Sequence, residues 1–360
     1  MGGRNQLDVL KGRAMTDFPN IELNDLPGLL AHINPDDRDT WVQVAMGVKA
    51  EFGEPAFSDW DSWSQGGAGY KPAAARSVWK SCKGGKVGIG TVIHLAKQGG
   101  WQPRKRDLTP AERERMRAEQ AERRAKRAAE QAEEERLEAV MQEQVQVGTH
   151  RLLAEFTAAR GKSDYLDRKQ VSAFGVRFVT KPLLFSADSK HERSDIWLGA
   201  DMARFLRELP KPKPDHIGFM KLGPGDLIIP LADEAGTVWS FQAINAQGTK
   251  LFPKFARKSG CFHWVGKADP MPIIALAEGY ATAVSVYQAT EWPTVMCVDV
   301  GNMAKVAAII AQQYPESRLI IAGDDDPKAD GTNPGRVAAE ALGLELGITA
   351  VFPERPEVAA

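Results

Sequence analysis

Cysteine is scarce in this 360-residue chain, with three residues at positions 82, 261 and 297. Their separations fit no zinc-ligand spacing and offer no disulfide framework, so neither a zinc ribbon nor a stapled secreted fold is expected, and no zinc is expected as a cofactor. No apolar run approaches the length needed to cross a bilayer and no secretory signal is evident; the expectation is a cytoplasmic protein with no membrane partner. A Gly-x-x-x-x-Gly-Lys-Ser/Thr phosphate loop is missing, which excludes a built-in nucleotide-driven motor. Excess charge is missing as well. The chain has 46 Lys and Arg against 47 Asp and Glu, a formal net charge of −1, so affinity for nucleic acid has to come from a local basic patch.

What is present supports two compact domains joined by a spacer: 43% of residues are hydrophobic and 26% charged. Residues 1–20 read as a flexible tail, with Met15 as an alternative start or the edge of a leader. Residues 21–103 read as a small helical domain: Asp36-Asp37-Arg38-Asp39-Thr40-Trp41 opens an amphipathic run to Ala50, and Trp41, Trp60, Trp63 and Trp79 are expected in its core. Arg76, Lys80, Lys83 and Lys86 read as solvated surface, with contact to nucleic acid as the alternative, and His94 as an ordinary core or surface residue. Residues 104–150 are rich in Arg, Glu, Ala and Gln. With Thr109-Pro110-Ala111-Glu112 as a start signal, they predict a long polar helix that acts as a semi-rigid spacer, its far end docked through Met116, Leu137, Val140 and Met141.

The chemistry concentrates after residue 267. Ile273 to Ala277 is a short continuous apolar run, as expected of a strand covered on both faces, and Glu278-Gly279 follows where the chain turns into a helix from Tyr280 to Ala289. The alternation continues with a strand from Thr294 to Val298, a helix from Met303 to Gln313, a strand from Arg318 to Ala322, a helix from Pro334 to Leu346 and a strand from Thr349 to Phe352. That rhythm predicts a parallel α/β sheet, in which functional groups gather beyond the carboxyl ends of the strands. Glu278, Asp299 and Asp324 to Asp326 all fall there. Side chains alternate along extended chain, so Asp324 and Asp326 are expected to face the same way. With Glu278 they form a set of hard oxygen donors suited to Mg²⁺ or Mn²⁺, with Asp299 as a further candidate. Acids that merely cap helices are the structural alternative.

This segment resembles the Toprim domain of bacterial-type primases, topoisomerases and some nucleases, through Glu278-Gly279-Tyr280, the Asp324-Asp325-Asp326 triplet and Asn333-Pro334-Gly335-Arg336. The resemblance implies that Glu278, Asp324 and Asp326 are catalytic and metal-holding acids. Many bacterial primases carry a further aspartate shortly after the Glu-Gly-Tyr element; here the residues are Ala281-Thr282-Ala283. Upstream, Tyr165-Leu166-Asp167-Arg168-Lys169, with Gln170 in place of a glycine, resembles the element that opens the primase catalytic core. Asp226 to Gln242 resembles two strands of that core, with Ala235-Gly236 at the turn. The segment from about Leu30 to Trp101 resembles the second type of primase carboxy-terminal helical domain.

These likenesses imply the following architecture: a mainly helical domain, an α+β primase-core subdomain over 151–267, a Toprim-type parallel sheet flanked by helices over 268–354, and a short tail over 355–360. The function they imply is a metal-dependent primase of a phage or conjugative plasmid, making short primers on single-stranded DNA from nucleoside triphosphates beside a separate replicative helicase. Arg168, Lys169, Lys221, Lys250, Lys254, Arg257 and Lys258 are the candidate contacts for nucleic acid or nucleotide. Interleaved Phe252, Phe255, Phe262 and His263 are either base-stacking rings or core. A Toprim nuclease and a non-catalytic single-strand-binding or helicase-recruiting factor are the other readings. A topoisomerase would need a nucleophilic tyrosine in a further domain, and Tyr70, Tyr165, Tyr280, Tyr287 and Tyr314 all have structural explanations.

Overall fold

The computed structural model describes residues 21–82, 87–103, 109–267, 271–325, 327 and 332–353. The expected tails, Lys83, Lys86 and Asp326 lie outside the described residues. Two compact units divide between Glu133 and Glu134.

In the first unit the helices are α1 (Leu26–Leu30), α2 (Arg38–Phe52), α3 (Phe57–Ser64), α4 (Pro72–Ser81) and α5 (Ile89–Gln98). Asp37 caps α2, its side chain accepting from the Thr40 amide, as its place ahead of the apolar run requires. Trp60 is fully buried, with ring centroids 5.0 Å from Trp41 and 5.3 Å from Trp79; Trp63 packs at the edge of the same cluster. His94 is exposed.

Helix α6 (Pro110–Glu155) spans the division between the units. Its start is the expected capping box: the Thr109 amide and hydroxyl both donate to Glu112 Oε2 at 2.7 Å. The helix runs five residues past the expected end, and its far end docks as expected through Leu137 and Met141. Met141, Val145 and Leu152 are fully buried with Phe185, Ile228 and Phe241, because apolar residues recur there at helical intervals and meet a sheet.

The second unit continues with β1 (Thr157–Ala158), α7 (Asp164–Lys169), β2 (Arg177–Val179), β3 (Leu183–Asp188), β4 (Arg193–Trp197), α8 (Gly199–Glu208), β5 (Ile217–Leu222), β6 (Leu227–Ala232), β7 (Val238–Ile244), β8 (Lys250–Leu251) and β9 (His263–Val265). Then come β10 (Ile273–Ala277), α9 (Tyr280–Thr290), β11 (Thr294–Met296), α10 (Val300–Gln313), β12 (Arg318–Ala322), α11 (Pro334–Leu346) and β13 (Thr349–Val351). Among the described residues these strands form three sheets: β1-β2-β6-β7-β8, β4-β3-β5, and β13-β12-β10-β11-β9. In the last, β10 lies between β12 and β11 and runs parallel to both, while β9 joins antiparallel at the edge. The hairpin between β6 and β7 turns at Gly236, where φ is +81°, a left-handed value that glycine adopts without cost.

Two local departures from the sequence reading have a common cause. The strand expected to reach Val298 ends at Met296, and the helix expected from Met303 begins at Val300. Val298 takes φ +77°, which turns the chain so that Asp299 caps α10 by accepting from the Asn302 amide at 2.9 Å. A left-handed backbone is costly for a β-branched residue and marks a strained turn.

Candidate active site

The central pairing brings the acids together. Ala277, the last residue of β10, sits in register with Ala322 of β12 and with Met296 of β11. Glu278 follows the first directly and Asp324 lies two residues past the second, so two adjacent parallel strands deliver their carboxylates to one end of the sheet. Burial raises the Glu278 pKa above its ordinary value; the Asp324 charge raises it further, Lys250 opposes, and Asp299 adds to the rise. Glu278 and Asp324 therefore sense one another as like charges, an arrangement that a cation relieves.

The three consecutive aspartates do not share one environment. Asp324 is half-buried and its Oδ1 accepts from the Thr282 hydroxyl at 2.6 Å. Asp325 has only 6% of its side chain exposed and accepts from Asn333 Nδ2 at 2.6 Å, with Arg336 Nη1 at 3.4 Å. Asn333 also caps α11 through the Arg336 amide. Asp325 is thus already paired and belongs to the framework.

The candidate cations divide. Lys250, on β8, reaches the Glu278 loop closely enough that a Cβ at Gly279 would lie 3.1 Å from its Nζ. Lys258 stands 3.7 Å from Asp299 and 5.0 Å from the Phe252 ring centroid. Lys169, at the end of α7, borders a cavity of about 560 Å³ together with Thr282, Asp324 and Asp325. The rest point elsewhere. Arg168 donates to the Ala246 carbonyl at 2.7 Å; Lys254 donates to the Asp215 carbonyl; Arg257 lies 4.2 Å over the Trp239 ring. Lys221 is exposed on β5 of the three-stranded sheet. Among the interleaved rings, Phe262 and His263 are buried and belong to the core. His263 is held with Nδ1 3.0 Å from the Pro230 carbonyl and Nε2 2.9 Å from that of Phe174. Phe252 and Phe255 are partly buried, each beneath a lysine.

Two contributors escaped the sequence reading. Thr282 entered it only as a missing aspartate, and Tyr165 only as part of a motif. Tyr165 and Leu166 of α7 pack with Ala277, Tyr280 and Ala322 at the acidic end of the sheet; burial raises the Tyr165 pKa, Arg168 opposes, and Asp324 adds to the rise. The motif position of Gln170 is also explained: it closes α7 at φ +54°, ψ +40°, the left-handed conformation for which a glycine is the usual choice.

Among the described residues no cluster of three or more His, Cys, Asp or Glu side chains with metal-holding geometry occurs. Glu278 and Asp324 nevertheless present mutually repelling oxygen donors at a strand-end position, the chemistry of a hard cation that keeps several of its waters.

A family model described as Toprim domain matches residues 273–357, and a second, Primase C terminal 2 (PriCT-2), matches residues 27–96. The chain carries both domains. Two Escherichia coli proteins named DNA primase TraC are 43% and 41% identical to it over 131 residues, 35% of this chain. The match spans only 9% and 12% of the length of those relatives. Among solved structures, a DnaG primase catalytic domain bound to ssDNA aligns at 13% identity and TM-score 0.38, covering 61% of this chain and 73% of that one. The Aquifex aeolicus primase zinc-binding and RNA polymerase domains align at 14% identity and TM-score 0.34, covering 75% and 61%. The Toprim match takes in β10, β11, β12 and β13 with α9, α10 and α11, and the PriCT-2 match lies within the first unit.

Proposed function

We propose that this chain is a DNA primase of a phage or mobile element, joining nucleotides into short primers on single-stranded DNA with a divalent metal, Mg²⁺ or Mn²⁺. The observation that carries the reading is the meeting of Glu278 and Asp324 at the carboxyl ends of β10 and β12, faced by Lys250 from the neighbouring sheet. The Toprim and PriCT-2 matches and the primase name of the relatives support it.

In this reading Glu278 and Asp324 hold the cation, with Asp326 completing the set by motif position. A cation bound there supplies charge neutralisation and orientation for a triphosphate. Lys250, Lys258 and Lys169 present ammonium groups around the acids as point charges for phosphate oxygens. Asp299 fixes the start of α10 and holds Lys258 beside the site. Partial burial of Glu278 strengthens the charge interactions there. The protein's share is positioning and electrostatics, as phosphoryl chemistry demands. A replicative helicase is the partner that this chain, which has no phosphate loop, would serve.

De novo synthesis on unprimed single-stranded DNA with labelled nucleotides and Mg²⁺ or Mn²⁺ tests the proposal. Short products from the wild type, lost in Glu278→Gln and Asp324→Asn, are expected. Template degradation would replace the primase by a nuclease, and DNA binding without either reaction would replace it by an accessory factor.

A further inference from the structure

We propose that Thr282 is a positioning residue for the metal site, fixing the Asp324 carboxylate so that Oδ2 faces the cation. The inference rests on the metal site proposed above. A threonine hydroxyl within a helix ordinarily donates to the carbonyl four residues back, as Thr290 does to Val286 in α9 at 2.7 Å and Thr149 to Val145 in α6 at 2.7 Å. Thr282 stands in the first turn of α9, where the residue four back is Glu278, outside the helix. Its hydroxyl crosses to the neighbouring strand end and donates to Asp324 Oδ1 at 2.6 Å. Among the described residues, that carboxylate accepts no other hydrogen bond.

The geometry has a chemical consequence. A carboxylate on a loop beyond a strand rotates freely unless a neighbour holds it, and an oriented ligand binds metal more tightly than a free one. The hydrogen bond takes a lone pair on Oδ1 and leaves Oδ2 unengaged. An aspartate at 282 would add a third repelling charge beside Glu278 and Asp324. Threonine supplies a neutral donor in its place. Asp325 shows what the hydroxyl does not do: that carboxylate is paired by Asn333 and Arg336, while Asp324 is oriented with its charge left unbalanced.

The test titrates the full chain with Mn²⁺ and reads the free ion by electron paramagnetic resonance, without nucleotide or DNA. Thr282→Val removes the donor with little change of shape and is expected to weaken Mn²⁺ binding by about 10–100-fold, the usual effect of losing the partner of a metal ligand. Thr282→Ser keeps the hydroxyl and is expected to bind as the wild type does. Wild-type affinity in Thr282→Val would overturn the proposal, as would equal losses in the Val and Ser variants, which would assign the effect to packing of the methyl group. Glu278→Gln separates this from the underlying reading. If it binds Mn²⁺ as tightly as the wild type, the cation is not held at these acids, and both the metal site and the role of Thr282 fall.

Discussion

Replacing Glu278 by glutamine should stabilise the metal-free second unit and remove its response to metal. Burial and the Asp324 charge raise the folded pKa of Glu278 above its ordinary value. A group raised in this way favours the folded state most at pH values below its unfolded pKa, and loses that contribution as the pH rises through the folded pKa. The wild type and the isosteric glutamine variant should therefore melt together in acid and separate toward neutral pH, where the wild type carries the uncompensated charge. Relieving such a functional-site cost is worth on the order of 1 kcal/mol. In a unit the size of Glu134–Ala360, that is about 2–4 °C. Divalent metal reverses the order: at about 100 times its dissociation constant a ligand adds roughly 2.7 kcal/mol to the form that binds it, or roughly 5–10 °C here. Thermal unfolding followed by circular dichroism across this pH range, with and without Mg²⁺ or Mn²⁺, gives the four curves. If the melting curves of the two proteins superimpose at neutral pH, and metal moves both equally, the reasoning about Glu278 is wrong.

Two further outcomes follow from the backbone and the core. Gln170 occupies a left-handed conformation at the end of α7, so Gln170→Gly should be neutral or stabilising by up to about 1 kcal/mol, while Gln170→Val should cost more than about 1 kcal/mol; opposite signs in denaturant midpoints would refute the assignment. Burial pushes the Cys261 thiol up to about 11 and raises Cys297 further still, so both should resist an aromatic disulfide reagent in the native protein and react in denaturant; fast native labelling at either position, located by mass spectrometry, would contradict the packing.

The parts of the Toprim sheet legible in the sequence are those in which one local signal acts alone. β10, β12 and α11 keep the bounds expected of them, because a continuous apolar run ends at a glycine or an acid and a helix opens at Asn-Pro. Where one residue serves two roles, the local signal does not set the bounds. Asp299 reads as a strand-end acid, and in the structure it also caps α10, which explains why that helix starts three residues early. The basic stretch from Lys250 to Lys258 looked like one patch. Its side chains disperse to Glu278, Asp215, Trp239 and Asp299, since the chain turns through Phe255 at φ +66° and no strand period aligns them. Thr282 and Asp324 meet only because β12 inserts beside β10 in the sheet; no spacing along the chain encodes that order.

The cost of the site is itself an argument about its purpose. Within one triplet, Asp325 is buried and its charge is met by Asn333 and Arg336, which is how a structural carboxylate is accommodated. Asp324 and Glu278 receive no such pairing: one is given a neutral hydroxyl, and the other is left with a raised pKa and a lysine whose pull is outweighed by burial and like charge. Amides at both positions would preserve the fold at lower cost. Two adjacent carboxylates kept oriented and underbalanced at the end of a parallel sheet make physical sense when a cation completes them, and the surrounding ammonium groups make sense when that cation brings phosphates with it.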